Sequence, residues 1–278
     1  MANQEDIYSL TAKPEDFFHL LDTHGISHPN YYPGIASLDS SYFYVCKRQG
    51  ADGGSHVRFF EDGDTLSPDE YLQQYVPGLP ASVTFVANGQ SCNILGVNQL
   101  FLATVSDNQF CYAGAVQLNI SDDTRKKVTG IVTKLVESTG LQGLCGLDFI
   151  ITDSGEIQVL ELNPRPPASM ELYDSGTYSV FAENIRAYRG KSHSEFEQNQ
   201  KTVKAYRVVY AGETTRIAEN LIWPEWVKDR PGNSVTLLKD SPICTVHVEA
   251  DNRSAALRLL DERVVEMNNL ISAREIVL

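Results

Sequence analysis

Positive charge is scarce in this sequence. Its 278 residues carry 23 Lys and Arg against 36 Asp and Glu, which gives a formal net charge of −13 and a pI near 4.9. A field of this sign repels phosphate backbones and anionic lipid. The composition therefore disfavours nucleic acid and membrane surfaces as partners and favours a small molecule. An anionic small molecule would need a local group of Lys, Arg and backbone N–H donors.

Long apolar runs and closely spaced cysteines are also missing. No uncharged apolar run approaches the roughly 20 residues that span a bilayer, and the first residues show no basic stretch followed by an apolar one. The five cysteines are odd in number and none has the spacing of a zinc or redox motif, and the six histidines form no metal-spaced cluster. We therefore expect a cytoplasmic protein with reduced thiols and no membrane contact.

A short apolar hairpin is predicted near the middle of the chain. Residues 144–151 and 157–162 are rich in Leu, Ile, Val and Phe, as strands are, and turn formers lie between them. If residues 154–155 form a two-residue loop, Asp148 lies directly opposite Glu161 on the paired strands. The prediction thus brings two carboxylates face to face.

These facing carboxylates have the pattern of a divalent-cation site. Asn163 shares the strand face of Glu161, two residues away. Like charges opposite each other repel, and a carboxylate buried without a partner is costly or shifts its pKa. A bridging Mg²⁺ would remove both penalties, since it takes oxygen ligands from one or two carboxylates and the rest from phosphate and water. The alternative is that Asp148 and Glu161 lie on a solvated sheet face and that Asn163 merely ends a strand.

The remaining pattern mixes helices with antiparallel strands, which predicts an α+β fold. Helical periodicity and end signals predict helices at residues 14–24, 122–139, 179–189 and 252–270. Runs rich in β-formers predict further strands at residues 42–47, 56–60, 81–87, 91–95, 101–105, 204–210 and 243–249. A polar stretch at residues 191–200 precedes the last two of these strands.

A lysine and a glycine-rich loop form the first of two weaker signals. Lys47 ends an apolar strand, and the loop that follows contains Gly53, Gly54 and Ser55. A lysine at a strand end can contact phosphate oxygens while glycine N–H groups close over them. The alternative interpretation is an exposed lysine before an ordinary hairpin turn.

The second weaker signal is a strand that runs into a turn at residues 71–78. Extended backbone at such an edge can offer N–H and C=O groups to a flat heterocycle, with Tyr75 and Val76 packed on it. The alternative is a strand end closed by Pro77 and Gly78. Neither signal decides a function by itself.

Taken together and in this order, the segments around Lys47, residues 73–78, Asp148 and residues 161–165 resemble the ATP-grasp superfamily of ATP-dependent carboxylate ligases. The resemblance covers roughly residues 10–190. It implies an ATP-grasp fold, in which two α+β subdomains grip ATP between antiparallel sheets and a small C-terminal subdomain follows. The implied parts are a remnant N-terminal or linker helix region at 1–40, a small subdomain at 41–105, a large subdomain at 106–200 and the C-terminal subdomain at 201–278.

The same resemblance implies a nucleotide site. Lys47 would contact the α- and β-phosphates of ATP. The loop of Gly53, Gly54 and Ser55 would close over the triphosphate. The adenine would lie in a slot lined by Gln73, Gln74, Tyr75 and Val76.

The resemblance also implies a metal site and a catalytic arginine. Two Mg²⁺ ions, with Mn²⁺ as an alternative, would lie between the β- and γ-phosphates on Asp148, Glu161 and Asn163. Arg165 matches an arginine of biotin-carboxylase-like members that steadies the acyl phosphate or the tetrahedral intermediate. Lys47 and Arg165 would therefore be the catalytic side chains. Ser169 and Glu171 follow in the same loop and could face the acceptor substrate.

Two departures from the family pattern stand out. Members normally carry a Rossmann-like domain of about a hundred residues first, whereas only 46 residues precede the predicted phosphate-binding lysine. Three explanations are open: this chain has a reduced form of that domain, the sequence is a fragment, or a partner provides the domain. Gly146 replaces an arginine that D-Ala–D-Ala-ligase-like members place two residues before the metal-binding Asp, so transition-state charge would rest more on Arg165. Lys13 is a loose match to an earlier phosphate-binding residue of the family.

The implied reaction joins a small-molecule carboxylate to an amine. ATP would phosphorylate the carboxylate, and the amine would attack the acyl phosphate to form an amide. A rival interpretation is a nucleotide-binding subunit or degenerate ligase without turnover, which the short N-terminus and Gly146 favour and the intact metal site and Arg165 oppose. A third is a sheet-rich structural protein without nucleotide. The expected partners are the two small substrates, with a homodimer or a partner that supplies the missing domain left open.

Lys47→Ala should weaken ATP binding much more than adenosine binding, because the side chain is predicted to touch phosphate and not the base. The loss of one hydrogen bond to a charged group should lower ATP affinity by about 10- to 100-fold. Titration calorimetry with both ligands checks this. Equal losses for ATP and adenosine would place Lys47 outside the phosphate site.

Overall fold

The computed structural model describes residues 3–35, 38–191 and 201–272, which fold into two compact units. The first unit comprises residues 1–99 and 118–198, and the second comprises residues 100–117 and 199–278. The predicted division into four subdomains is finer than this and stays a prediction. From residue 192 onward, the predicted polar stretch at 191–200 lies outside the described residues. None of the helices in the described ranges is long and apolar enough to cross a membrane.

The helices of the described residues are α1 Glu5–Ala12, α2 Pro14–Thr23, α3 Asp122–Thr139, α4 Val180–Tyr188 and α5 Arg253–Ser272, with a 3₁₀ turn at Ala168–Leu172. The strands are β1 Tyr31–Tyr32, β2 Tyr44–Arg48, β3 Arg58–Phe59, β4 Glu70–Gln74, β5 Leu79–Asn88, β6 Cys92–Val105, β7 Asn108–Leu118, β8 Gln142–Ile151, β9 Ile157–Asn163, β10 Val203–Tyr210, β11 Thr215–Arg216, β12 Val227–Lys228, β13 Thr236–Leu237 and β14 Pro242–Ala250.

The larger sheet of the first unit has an apolar face and a polar face. Its antiparallel strands lie in the order β6–β5–β8–β9, and only the first part of β6 belongs to this unit. Alternation along β5 and β8 turns side chains such as Phe85 into the core, where they share a cluster with Val132 of α3. On the other face, Ser82, Asp148 and Glu161 are aligned across β5, β8 and β9. This polar row is the framework of the candidate site.

Helix α3 has the capping and apolar signals by which the sequence predicted it. The hydroxyl of Ser121 accepts the N–H of Thr124 and caps the first turn, and Gly140 ends the helix with a positive φ of 70°. Between these ends, Val128 and Leu135 lie on the buried stripe. The predicted helix at 122–139 is confirmed at both ends.

The smaller sheet of the first unit carries the predicted phosphate-binding lysine. Its antiparallel strands lie in the order β1–β4–β2–β3. Lys47 on β2 is the direct partner of Tyr71 on β4, and Tyr31 on β1 is the partner of Gln73. Cross-strand partners share a face of the sheet. Lys47 and Tyr71 are therefore side by side.

The N-terminal residues pack as two helices within the first unit. Helix α2 was predicted, whereas α1 was not, because Ile7 is its one buried side chain and a single apolar position gives no helical periodicity. α1 packs on α2 and contacts β9. Ahead of α1, the amide nitrogen of Asn3 donates to the carbonyl oxygens of Pro164 (2.8 Å) and Gln142 (3.0 Å). The start of the chain is thus fastened beside the end of β9.

The second unit is built on four main antiparallel strands and one long helix. Its strands lie in the order β12–β14–β10–β7, and α5 packs on β10 and β14. Leu260 and Met267 of α5 are fully buried in its core. Strands β11 and β13 form a small pair of their own. The predicted strands and closing helix of this region are confirmed.

The predicted α+β class is confirmed, but two strand predictions are wrong. The runs at 91–95 and 101–105 belong to one continuous strand, β6, and β7 was not predicted at all. Asn98 and Gln99 made the middle of β6 look like a loop. Asn98 is in fact fully buried, because its amide is hydrogen bonded on both sides. A polar residue with satisfied partners is compatible with a strand core.

Asn98 is the centre of a buried polar network behind the candidate site. Its Nδ2 lies 3.4 Å from Ser82 Oγ and 3.3 Å from Thr84 Oγ1, and its Oδ1 accepts the hydroxyl of Tyr173 at 2.6 Å. Thr84 Oγ1 is also bonded to Ser169 Oγ at 2.7 Å. The loop that follows β9 is therefore held on the polar face of the large sheet.

Gly96→Ala should destabilise the first unit by roughly 1–3 kcal/mol, because the new Cβ would lie 2.5 Å from Tyr173 Cε1 and displace the ring from Asn98. Urea unfolding measures the change. Gly130→Ala is the matched control, since Gly130 is exposed on α3 with nothing within 4 Å of the new Cβ, and should stabilise by about 0.5–1 kcal/mol. Equal effects of the two substitutions would contradict the packing role of Gly96.

Candidate functional site

The hairpin of β8 and β9 places Asp148 opposite Glu161, as predicted, but by a different route. The turn is not the predicted two-residue loop: Thr152 N–H donates to the carbonyl of Glu156 at 3.0 Å. Near the turn the pairing is therefore shifted by one residue, with Ile151 opposite Ile157 and Phe149 opposite Val159.

A β-bulge corrects this shift before the site is reached. Leu160 has no partner on β8, so the register returns to Asp148 opposite Glu161 and Gly146 opposite Asn163. Asn163 Nδ2 donates to Asp148 Oδ2 at 3.3 Å. The two carboxylates and the amide thus lie together on the polar face.

Burial and mutual repulsion perturb both carboxyls. Burial raises the pKa of Asp148 to about 8, and the charge of Glu161 adds to this, while Lys47, Arg165 and the hydrogen bond from Asn163 act in the opposite direction. Burial also raises the pKa of Glu161, against the opposing charge of Lys47. A pair of this kind holds a proton unless a cation replaces it.

Lys47 and His56 are basic side chains that line the same cavity as Glu161. Burial lowers the pKa of Lys47, and the charges of Glu161 and Asp148 partly offset the effect. Burial and the charge of Lys47 lower the pKa of His56. The carboxylates thus favour the charged form of Lys47 against the effect of burial, and His56 is a neutral imidazole near neutral pH.

Arg165 is tied to the glycine-rich loop. Its Nη2 lies 2.8 Å from Oδ1 of Asp52, and both side chains are substantially exposed. An exposed pair of this kind contributes little to stability. Gly53 and Gly54, next to Asp52, both have φ of 75°, which glycine adopts without strain. The loop can therefore take a conformation that brings Asp52 to Arg165.

A cavity of about 300 Å³ connects these groups. Its lining includes Lys47, Glu161 and Arg165, together with Tyr8 and Phe17 from the N-terminal helices. Gly54 and Asn163 also line it, whereas Gly53, Ser55 and Asp148 do not. One cavity thus combines cations, carboxylates and an apolar wall.

The oxygen groups present suit magnesium. In residues 3–35, 38–191 and 201–272, no three His, Cys, Asp or Glu side chains form a group that could hold a metal by themselves. The protein offers two carboxylates and the amide of Asn163, all on one face. Mg²⁺ is commonly bound through one or two carboxylates plus substrate phosphates and water. Asp148, Glu161 and Asn163 would hold it.

The predicted adenine residues lie away from the cavity, on β4 and beyond. The side chain of Gln73 is buried, and Gln74 Oε1 accepts Asn30 Nδ2 at 3.0 Å. The ring of Tyr75 contacts Phe59, with ring centroids 5.2 Å apart. Val76 is partly buried in the turn that follows. Their contact with a base stays a prediction.

The remaining predicted positions can also be located. Ser169 is buried on Thr84, and Lys13 precedes α2 without lining the cavity. A Cβ at Gly146 would lie 3.2 Å from Pro167 Cβ, so Pro167 fills the space that an arginine at this position would need. The roles proposed for Ser169 and Glu171 stay predictions.

Several side chains of the cavity lining were not predicted as site residues from the sequence. Asp52, His56 and Tyr71 all line it. For Tyr71 a signal was present. Side chains alternate between the two faces along both strands, so a strand at residues 71–74 that pairs with the strand of Lys47 can place Tyr71 on the same face as Lys47. The contributions of α1 and α2 carried no readable signal, since they depend on tertiary packing.

Known proteins resemble this chain over most of its length. The family profile described as "ATP-grasp domain" matches residues 15–169, more than half of the chain. An uncharacterised protein of Methanocaldococcus jannaschii is 24% identical over 203 residues, which are 73% of this chain and 48% of that protein. The chain therefore spans about half the length of this curated relative.

Solved structures share the fold at low identity. N5-carboxyaminoimidazole ribonucleotide synthetase from Thermotoga maritima gives a TM-score of 0.69 at 18% identity, over 92% of this chain and 72% of that one. A second structure is the biotin carboxylase domain of Hydrogenobacter thermophilus 2-oxoglutarate carboxylase, solved with MgADP, ADP and bicarbonate. It gives a TM-score of 0.71 at 13% identity, over 94% of this chain and 67% of that one. L-Amino acid ligase from Bacillus licheniformis gives a TM-score of 0.70 at 12% identity, over 93% of this chain and 71% of that one. The likeness shows the fold, which confirms the predicted one.

The metal-free protein should lose stability as the pH rises from about 4 to about 8. The pKa of Asp148 is raised in the folded state, so the folded protein binds more protons than the unfolded chain in this window, and its free energy of unfolding falls with pH by a few kcal/mol. Glu161→Gln removes the repelling charge and should flatten this dependence. Thermal melts across the pH range in EDTA measure it.

Glu156→Gln is the control for this measurement, because Glu156 is exposed in the turn of the same hairpin. It should keep the slope of the parent protein. Added MgCl₂ should stabilise the parent and the control at pH 8 but not Glu161→Gln. A parent protein whose stability is flat or rises over this window would show that the carboxyl pair does not hold a proton.

Proposed function

Since the chain belongs to the ATP-grasp family, we propose that it is an ATP- and magnesium-dependent ligase that joins a small-molecule carboxylate to an amine. The observation that carries this proposal is the convergence of Lys47, Glu161, Asn163 and Arg165 on one cavity, beside Asp148. These groups come from two different sheets and the loop after β9. A packing role alone does not require such a collection of charges.

The chemistry requires positive charge where a phosphoryl group moves. Lys47 would neutralise the phosphate oxygens of ATP, and the carboxyl pair with Asn163 would hold the magnesium that supplies further charge neutralisation when bound. A carboxylate oxygen of the acid would attack the γ-phosphorus, and ADP would leave. Electrostatic stabilisation at preorganised groups is the main catalytic device in such transfers.

Arg165 would act in the second half of the reaction. An amine attacks the carbonyl carbon of the acyl phosphate, the amine loses a proton, and inorganic phosphate leaves. The negative oxygen that develops on the carbonyl carbon needs a donor, and Arg165 has a planar fork at the edge of the cavity. Its ion pair with Asp52 is exposed and therefore easily exchanged for a substrate anion.

The solved structures support the substrate class without defining it. The structure with MgADP and bicarbonate pairs a nucleotide with a small anionic oxygen acid, and another structure is that of an L-amino acid ligase. We propose a small carboxylic acid for this chain on the same grounds. The apolar part of the cavity lining, which includes Tyr8 and Phe17, favours an acid with a compact apolar group.

The second candidate function is ATP binding without ligation. The observation in its favour is Gly146, where Pro167 occupies the space for an arginine. Calorimetry with MgATP, followed by ADP release assays over panels of carboxylic acids and amines, tests both functions. Binding without ADP release on any pair would favour the second candidate, and no MgATP binding would exclude both.

Arg165→Lys should leave ATP affinity nearly unchanged and lower turnover on the order of a hundredfold, because lysine keeps the charge but loses the planar fork. An effect confined to turnover marks an interaction made mainly in the transition state. ATP affinity, ADP release and melting temperature should be measured on one preparation.

Asp52→Asn separates this role from a structural one. It removes the same ion pair and leaves the guanidinium in place, so it should keep most of the turnover. If Arg165 serves only to pin the glycine-rich loop, both variants should lower the melting temperature equally and change turnover equally. That result would rule out the catalytic role.

A further inference from the structure

Tyr71 lies beside Lys47 on the face of the small sheet that lines the cavity. The two residues are direct partners of β2 and β4, so their side chains project from the same face. Both belong to the cavity lining together with Glu161. Tyr71 is therefore next to the residue that would bind phosphate.

The ring of Tyr71 is held by a chain of aromatic contacts from α2. Phe18 stacks on Tyr31, with ring centroids 5.4 Å apart, and Tyr31 meets Tyr71 edge-on at 5.7 Å. Such contacts restrict both side-chain torsions of the tyrosine. The hydroxyl is thus carried on a ring whose orientation is set before any ligand enters, which lowers the entropy cost of using it.

The hydroxyl of Tyr71 is free to bind a ligand. Within the described residues it makes no hydrogen bond, although the side chain is largely enclosed. Burial and the charge of Glu161 raise its pKa, so the phenol remains an O–H donor throughout the neutral range. A polar group placed this way, in a protein whose enclosed polar groups are otherwise mostly bonded, calls for an acceptor.

Two further buried polar atoms near Tyr71 have no hydrogen-bond partner in the described part of the chain. They are His56 Nδ1 and Gln73 Nε2. Gln73 is two residues from Tyr71 on β4 and shares its face, and His56 lines the cavity. Each group costs free energy when it stays unpaired. The unpaired nitrogen of His56 shares the cavity with Lys47 and Tyr71, which favours a polar ligand such as a polyphosphate over an apolar one.

We propose that Tyr71 binds the nucleotide by donating a hydrogen bond from its hydroxyl to a phosphoryl oxygen beside Lys47. This inference rests on the proposed ATP site and adds a residue that the sequence motifs did not include. A neutral donor contributes to phosphate binding without adding another cation next to the magnesium site. Lys47 and Tyr71 together would bind the phosphoryl group from adjacent strands of one rigid sheet.

Tyr71→Phe tests the proposal, because it keeps the ring and removes the donor. Calorimetry should use three probes: MgATP, magnesium tripolyphosphate and adenosine. The variant should bind the two phosphate probes about tenfold more weakly and adenosine equally well. Unchanged affinity for magnesium tripolyphosphate would overturn the proposal, and so would an equal loss for adenosine.

Tyr31→Phe is the matched control. Tyr31 belongs to the same aromatic chain but does not line the cavity, so its phosphate affinities should stay at the parent level. A loss as large as that of Tyr71→Phe would assign the effect to packing of the aromatic chain and overturn the proposal. Melting temperatures of both variants show whether the sheet itself is intact.

The outcomes also separate this proposal from the ligase. Weaker magnesium tripolyphosphate binding by Tyr71→Phe, with no ADP release from the parent on any substrate pair, would support the phosphate contact and reject the ligase. ADP release from the parent together with unchanged phosphate affinity in Tyr71→Phe would support the ligase and reject the phosphate contact of Tyr71. A parent protein that binds neither phosphate probe would reject both.

Discussion

The pairing of two like-charged carboxylates on adjacent strands is the constraint on which the rest of the site depends. Asp148 and Glu161 face each other across β8 and β9, and both have a raised pKa. This arrangement disfavours the metal-free, fully ionised state. Lys47 offsets part of the cost, and a divalent cation would offset more. The cost of this pair without a cation is the physical basis of the proposed function.

The surrounding structure holds this pair in place from several directions. The network around Asn98 holds the loop after β9 through Ser169 and Tyr173. Asn3 is bonded to Pro164, next to Arg165, so the first residues of the chain support the same loop. Asp52 reaches Arg165 from the glycine-rich loop. Rigid elements thus carry the carboxylates, while the arginine has an exchangeable partner.

Much of the fold and part of the site could be predicted. Helix α3 was predicted to the residue because a cap, an apolar stripe and a terminal glycine agree along one segment. The pairing of Asp148 with Glu161 was right only in its outcome: the loop was wrong, and the Leu160 bulge restored the register. Strand β6 was divided in error, because the hydrogen bonds that let Asn98 sit in a core come from distant residues.

By itself, the sequence determined the chemistry available: that residues 144–151 and 157–162 form a hairpin, that Asp148, Glu161 and Asn163 share a face, and that a lysine precedes a glycine-rich loop. Local periodicity carries that information. Only the tertiary structure decided that the N-terminal helices line the cavity, that Asp52 meets Arg165 and that Tyr71 stands beside Lys47 with a free hydroxyl. These contacts join residues far apart in the chain, and their geometry depends on how sheets, helices and loops pack, which no local pattern records.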